Sequence, residues 1–403
     1  MLNCIVVGGG IAGLSSGIAL HKAGHRPLIF EAYGVPSDGI GGFLTVAVNG
    51  FDALHTLGLK AAADHLGPLM SMYLGSNGKH LVDFDYGGTL PDGTTARTMT
   101  RSELYSTLRD EAGRRGIRIV YDKRLTAVNE ARDGVHVVFH DGTTADGDLV
   151  VGADGLHSRV RTLIDPSAPP PRNIPLLNTG GIVPAGVLRP GLVDVEAGRM
   201  KMVFGKRCFY CYMQDPDGSI WWFANPLQRS SEDPSTFDAD ARKAWLTKLV
   251  AGDRTIMEAI IAATEEIIRP YTTSDFPSIP RWHRGRLVVV GDAAHAASPS
   301  SGQGASMAIE DAVTLGRALQ GLAPESIPAA LERYESERRI RAESVVEWGR
   351  RNAEPKVRGQ FKRVFEDLLL PMVFRGMAGK SKDNFDWVYR HHIEWDTANS
   401  AAK

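Results

Sequence analysis

The chain has 403 residues, is 43% hydrophobic and carries a formal net charge of −1. That balance supports a large core or two to three domains, and it gives no electrostatic reason to expect a nucleic-acid or acidic-membrane partner. Its cysteines, Cys4, Cys208 and Cys211, are too few for a disulfide scaffold.

The opening stretch MLNCIVVGGGIAGLSSGIAL is apolar but has neither the basic n-region nor the cleavage site of a signal peptide. Its glycines at 8, 9, 10, 13 and 17 argue against a membrane helix. We therefore expect a cytoplasmic protein with no membrane partner. Ile5 to Val7 form a short continuous apolar run, as a buried parallel strand does. Gly8, Gly10 and Gly13 then match G-x-G-x-x-G, and Ile11 and Ala12 complete the turn into a helix. The first glycine makes the tight turn, the second admits a pyrophosphate, and the third lets helix and strand pack closely. The helix N-terminus then faces the phosphates. Leu28 to Phe30 form the next strand, which Glu31 closes 18 residues beyond Gly13. A carboxylate there accepts from a ribose hydroxyl and favours a free ribose over a phosphorylated one. This motif alone leaves FAD and NAD open.

Arg101 opens an amphipathic helix, RSELYSTLRDEAGRRG. A second short apolar strand leads into Gly152-Ala153-Asp154-Gly155, where Asp154 either serves the dinucleotide or only shapes the turn. The Pro-rich segment 165–175 reads as a linker out of the cofactor domain. Aromatic and β-branched stretches follow at 179–187, 199–213 and 218–226, with short strands at about 73–97. They predict a sheet over the cofactor. Alternation puts Lys206, Cys208, Tyr210 and Tyr212 on one face and Arg207, Phe209, Cys211 and Met213 on the other. It does not say which face meets the substrate. The C-x-x-C pair is thus split between faces, and no second pair completes a zinc site. A helix is predicted over 239–252.

A third strand, Leu287 to Val290, runs into GDAAHAASPSSGQGASMAIEDA. It delivers Asp292 to the carboxyl end of a sheet, where such folds bind ligands. The other reading of Asp292 is an N-cap. Pro299, Gly302 and Gly304 make a loop with little bulk, through which backbone N–H groups can approach a flat ring. A helix starting near Gln303 would aim its positive end at that ring. His295 has no partner at helical ligand spacing, so no metal site is expected; it is read as a loop hydrogen-bonder, with a general base as the alternative. The segment 331–351 reads as a charged, solvated helix with Glu335–Arg339, Glu337–Arg341 and Glu347–Arg351 pairs. The apolar stretch 364–378 is expected to pack across domains or to serve a dimer.

Taken together and in this order, the Gly8–Gly13 turn, the Gly152–Gly155 motif and the Gly291–Gly304 motif resemble the flavoprotein monooxygenase family that includes aromatic hydroxylases. Gly41 to Leu44 bring the pattern near the tetracycline-modifying and salicylate- or nicotinate-hydroxylating branches. One departure is Ala296, where the family usually has Pro after the His. The resemblance implies an α/β fold: a Rossmann-like FAD-binding domain (1–72, 98–171 and 272–345), an inserted β-sheet substrate domain (73–97 and 172–271) and a C-terminal helical region (346–403). It implies bound FAD held by Gly8, Gly10, Ile11, Ala12, Gly13, Glu31, Arg101, Asp154, Asp292, Gly302 and Gly304. Arg101 is expected near the pyrophosphate and Asp292 on the ribityl chain. Candidates for the substrate pocket are Phe204, Arg207, Tyr210, Trp222 and Pro299.

The expected activity is hydroxylation of an aromatic or polycyclic, enolic small molecule with O2, through a flavin C4a-hydroperoxide. NADPH or NADH would act as a transient reductant, since no second Gly-rich βαβ unit is present. Baeyer–Villiger or epoxidising chemistry, a flavin-dependent reductase and a non-enzymatic flavin-binding regulator are the alternatives. The halogenase signature W-x-W-x-I-P is absent. A monomer or weak homodimer is expected.

Overall fold

The computed structural model describes all residues except 37–41, 60–68, 76, 85–86, 190, 194–195, 197, 230–232, 277, 358–384 and 396–403. The expectation for 364–378 therefore lies outside the described residues, as does Gly41.

In chain order the elements are β1 (Asn3–Val7), α1 (Ile11–Lys22), β2 (Arg26–Phe30), β3 (Phe43–Val46), α2 (Val48–Thr56), β4 (Leu69–Leu74), β5 (His80–Phe84) and β6 (Arg97–Thr100). Then come α3 (Arg101–Arg114), β7 (Arg118–Val120), β8 (Leu125–Glu130), β9 (Val135–Phe139), β10 (Thr144–Gly147), β11 (Leu149–Gly152) and α4 (Arg159–Ile164). The chain next forms β12 (Arg172–Val183), β13 (Arg199–Phe204), β14 (Phe209–Gln214), β15 (Ile220–Asn225), α5 (Ala239–Val250), α6 (Met257–Ala263) and β16 (Tyr271–Asp275). It returns through β17 (His283–Arg284), β18 (Leu287–Val289), α7 (Asp292–His295), α8 (Gly304–Leu319) and α9 (Ile327–Val357), and a short helix spans Asp386–Tyr389.

The first sheet has the order β17-β18-β11-β1-β2-β7. Strands β18, β11, β1, β2 and β7 pair in parallel, and only the short edge strand β17 runs antiparallel. Their apolar runs follow from burial on both faces: Val6, Val150, Val151, Val288 and Val289 are fully buried. This order sets the three glycine-rich motifs side by side, at the carboxyl ends of β1, β11 and β18. A separate antiparallel meander, β10-β9-β8, was not expected from the sequence.

The second sheet has the order β16-β12-β15-β14-β13-β4-β5. It includes Tyr271–Asp275, so the chain leaves this sheet several residues after 271. Strand β12 begins inside the Pro-rich segment read as a linker, because Arg172 to Ile174 pair with β16. Helix α9 is continuous across residue 345, so no break separates the cofactor domain from the C-terminal region there.

The two faces of the second sheet have different partners. Tyr210, Tyr212, Trp222 and Cys208 pack with Leu246 and Val250 of α5 and Ile260 and Ile261 of α6. Met200, Cys211, Met213 and Trp221 pack instead with Ala47, Val48 and Tyr389, flanked by Phe43, Phe223 and Trp348. The inner face is thus the one bearing Cys211 and Met213. No disulfide joins any of the three cysteines, and all three are buried. No helix among the described residues is long and apolar enough to cross a membrane.

Candidate active site

The first wall of the site is the turn from β1 into α1. Gly8 has φ +104°, and a Cβ there would lie 2.3 Å from the Ala153 carbonyl oxygen. A Cβ on Gly13 would lie 1.8 Å from the Gly8 carbonyl oxygen. Those two glycines are therefore required by packing between the turn, α1 and the loop after β11. Gly10 differs: a Cβ there meets nothing within 4 Å. The open space above Gly10 is what a pyrophosphate on the start of α1 requires. Ile11 is the first residue of α1, and Ala12 faces Gly291, whose added Cβ would lie 3.0 Å from the Ala12 Cβ. Glu31 stands beside the turn, accepting from the Gly9 N–H at 2.6 Å and the Tyr33 N–H at 3.0 Å.

The floor is the turn from β18 into α7. Gly291 has φ +58° and lets the chain reverse directly into the helix. Asp292 is the first residue of α7, and its carboxylate makes no cap hydrogen bond, so the N-cap reading does not hold. It is surrounded by protein yet keeps an exposed surface, which means that it faces a cleft. Burial raises its pKa, while His295 and then Arg101 act in the opposite direction. A deep carboxylate with no protein donor among the described residues suits a ligand rich in hydroxyl groups. Arg101 opens α3 behind a Thr100–Glu103 capping box, and its field reaches both Asp292 and Tyr271. Gly302 is left-handed at φ +60°, and α8 begins at Gly304 with no side-chain cap on its first amides. A Cβ on Gly304 would also meet nothing within 4 Å. Pro299 opens the exposed turn just before.

Behind this floor lies a buried charge cluster. Asp311 accepts from the Gly291 N–H at 2.8 Å and binds His295 Nε2 at 2.6 Å. Its other oxygen accepts from Arg338 Nε at 2.8 Å. Glu310 accepts from Arg338 at 2.6 Å, from Arg341 at 2.7 and 2.8 Å, and from Asn49 at 2.7 Å. Asn49 also donates to Gln303 at the start of α8. The cluster therefore holds the peptide before Asp292 and the residue before Gly304. His295 is held in it by Asp311.

Several expectations change here. Asp154 accepts from Ser158 Oγ at 2.5 Å, Arg159 N–H at 2.7 Å and Val160 N–H at 3.1 Å, so its carboxylate shapes the start of α4. The geometry thus favours the structural reading of Asp154 over the cofactor one. Tyr210 and Trp222 lie on the outer face of the second sheet, bonded to Thr255 and Asp253 and to Thr264, which takes them out of the substrate pocket. Arg207 leaves it as well, because its guanidinium donates to the Lys248 and Ala251 carbonyls at the end of α5. Phe204 shares the inner face of β13 with Met200 and Met202, its ring centroid 5.2 Å from that of Phe209. Helix α9 is not only a solvated face: Arg338 is 1% exposed, and Arg341 pairs with Glu310 while Glu337 pairs with Arg317. The Glu335–Arg339 and Glu347–Arg351 pairs form. Asn49, Gln303, Glu310, Asp311 and Arg338 were not legible as site-supporting residues, since nothing local marks a helix charge as buried. Among the described residues no cluster of metal-ligating side chains exists.

The parallel sheet, the open Gly10 turn and the orphaned Asp292 define a dinucleotide-binding oxidoreductase fold whose cradle fits FAD. A family model described as an FAD binding domain matches residues 1–349. The FAD-dependent urate hydroxylase of Klebsiella pneumoniae subsp. pneumoniae is 31% identical over 356 residues, covering 86% of this chain and 88% of the relative. The aurachin C monooxygenase/isomerase of Stigmatella aurantiaca is 29% identical over 399 residues, covering 98% of each chain. The crystal structure of Klebsiella pneumoniae HpxO with FAD and uric acid superposes with a TM-score of 0.79 at 28% identity, covering 94% of this chain and 96% of that one. The chain belongs to the family of FAD-dependent class A flavoprotein monooxygenases, the aromatic hydroxylases, and FAD is its cofactor.

Asp292→Ala is expected to weaken FAD binding by about 1.5–3 kcal/mol, the range for a hydrogen bond to a charged group. Fluorescence titration of the apoprotein with FAD measures it. Unchanged affinity would show that Asp292 is not a ligand.

Proposed function

We propose that this monooxygenase hydroxylates an aromatic or enolic small molecule at an electron-rich carbon, with NADPH or NADH as reductant and O2 as oxidant. The observation that carries the reading is the inner face of the second sheet. Phe43 stands within ring contact of Trp221 and Phe223, and Phe209 of Phe223 and Phe204. This face adjoins the flavin floor, because the Ala47 N–H donates to Ser306 Oγ in the first turn of α8. An apolar aromatic wall beside that turn binds flat rings and excludes water.

Bound FAD, once reduced, supplies the activation of O2 and the transfer of one oxygen atom. The residues of this chain orient and shield. Gly8 to Gly13, Glu31, Arg101 and Asp292 would hold the cofactor, and Gly302 with the uncapped start of α8 would place positive potential at its ring edge. The aromatic wall would set the substrate over that ring. The reading also places the enzyme in the cytoplasm.

A fold with no separate nicotinamide domain among its described residues wastes reductant unless substrate controls reduction. The loop from Ala296 to Gly304, low in side-chain bulk, is where such gating would act. Under nitrogen, NADPH or NADH is expected to reduce the flavin at least ~10-fold faster with the true substrate, about 1.4 kcal/mol in barrier. The substrate is found by screening for NAD(P)H oxidation coupled to a product bearing one added oxygen. Equal reduction rates with and without a compound that is demonstrably hydroxylated would end the gating claim.

A further inference from the structure

Lys356 stands on the inner face of the second sheet, near the end of α9. Its Nζ lies 4.0 Å from the centroid of the Phe209 ring and donates to Asn225 Oδ1 at 3.2 Å. Asn225 pairs with Phe209 across β14 and β15, and its own amide is fixed by donation to Asn178 Oδ1 at 2.6 Å. The acceptor oxygen is thereby held towards Lys356. Cys211, on the same face, is close enough to influence the ammonium.

Among the described residues no carboxylate pairs with this cation. Lys356 is surrounded by protein yet keeps some accessible surface. An ammonium in such a place is costly unless paired, because burial disfavours the charged form. Burial indeed brings its pKa down to about 8, with Cys211 acting weakly the other way. The surrounding contacts, one amide oxygen and one ring face, satisfy part of a three-proton donor. Among the described residues no anion completes the set.

The position is also right for a ligand lying on the flavin floor. Helix α9 packs on the turn at Pro299–Ser301 through Gly349, whose added Cβ would lie 2.9 Å from the Ser301 Cβ. Seven further helical residues carry the chain roughly 10 Å along the inner face, at 1.5 Å per residue, to Lys356. A fused aromatic ring system spans that interval.

Resting on the monooxygenase reading above, we propose that Lys356 is a specificity-determining residue that receives the anionic oxygen of the substrate, which is therefore an aromatic or enolic acid bound as its carboxylate, phenolate or enolate. Phe209 backs the ammonium with its ring face, and Asn225 orients it towards the incoming charge.

The test uses the FAD-loaded enzyme without reductant. Its visible flavin spectrum is followed during titration with benzoate and naphthoate and with their neutral amides, benzamide and naphthamide. In the wild type the acids are expected to bind at least ~10-fold more tightly than the amides, about 1.4 kcal/mol. Lys356→Met should abolish that preference while leaving amide binding and FAD content unchanged, and Lys356→Arg should keep it. Lys356→Gln replaces the Met variant if the latter does not fold. Equal binding of acid and amide by the wild type, no binding of either acid, or an acid preference that survives in Lys356→Met or Lys356→Gln overturns the proposal. The readout needs neither O2 nor NAD(P)H. A failure to oxygenate any compound would therefore sink the proposed function with the acid preference intact, whereas loss of the acid preference would sink this inference and leave the proposed function standing.

Discussion

Gly13→Val is expected to prevent the chain from folding to a stable FAD-binding form, whereas Gly10→Val is expected to fold and lose the cofactor. The Gly13 Cβ would lie 1.8 Å from a backbone oxygen, where no flexible side chain can move aside. Either α1 or the turn at Gly8 must shift, and both belong to the central core with Leu14 and Val151. Overpacking ordinarily costs about 1–3 kcal/mol, and a backbone clash of this depth should exceed about 3 kcal/mol. Gly10 sits at the N-cap of α1 with φ −75° and open space above it. A side chain there strains nothing in the fold, so stability should change by less than about 1 kcal/mol. It would fill the room needed for the pyrophosphate, and FAD affinity should fall at least ~100-fold, about 2.7 kcal/mol. Denaturant melts of the apoproteins together with FAD titrations separate the two effects. A Gly10→Val protein that binds FAD normally would remove this turn from the cofactor site.

Arg338→Met should destabilise the protein by about 3–5 kcal/mol, the cost of leaving buried charge without its partner. Arg338 is 1% exposed, and both Glu310 and Asp311 are fully buried. Burial would raise those two carboxyl groups, but Arg338, with Arg341 for one and His295 for the other, holds each down to about 2. A folded-state pKa below the unfolded value gives stability that is present above about pH 4 and disappears as pH falls through the folded value. The wild type should thus lose this contribution between about pH 4 and pH 2, and the variant should lose less over the same interval because it has less to lose. His295 works in the opposite sense. Burial alone would lower it, but Asp311 raises it, so its contribution is present in acid and is lost as pH rises past the elevated value. Urea melts of wild type and Arg338→Met from neutral pH down to acid check the sign. A difference that stays constant with pH would mean that the cluster does not depend on ionised carboxylates. Arg338 touches no part of the cleft, so its influence on FAD would come through Asp311 and the Gly291 peptide.

Much of the candidate cofactor site is legible in the amino-acid sequence. The glycines at 8, 10 and 13, Glu31 and Asp292 follow the ends of short apolar strands, and Gly302 and Gly304 stand at the start of α8, where local backbone geometry leaves few residue types that serve. Their spacing is set along the chain, so one sequence carries it. The split of Cys208 and Cys211 between two faces is legible for the same reason, since a strand alternates with period two.

The sequence by itself determined the strand-and-turn motifs at β1, β11 and β18 and the existence of two different faces on β14. Only the tertiary structure decided which face looks inward, and it placed Tyr210 and Trp222 against α5 and α6 and Cys211 and Met213 against Ala47 and Val48. Only it decided that Arg338 is buried although its neighbours Glu337 and Arg339 are partly exposed. Only it brought Lys356 to Asn225, a residue 131 positions earlier. The physical reason is common to all three. Periodicity and turn chemistry are short-range and recorded locally, whereas the partner that covers a face or pairs with a charge comes from a distant segment, and its arrival depends on how the two sheets pack.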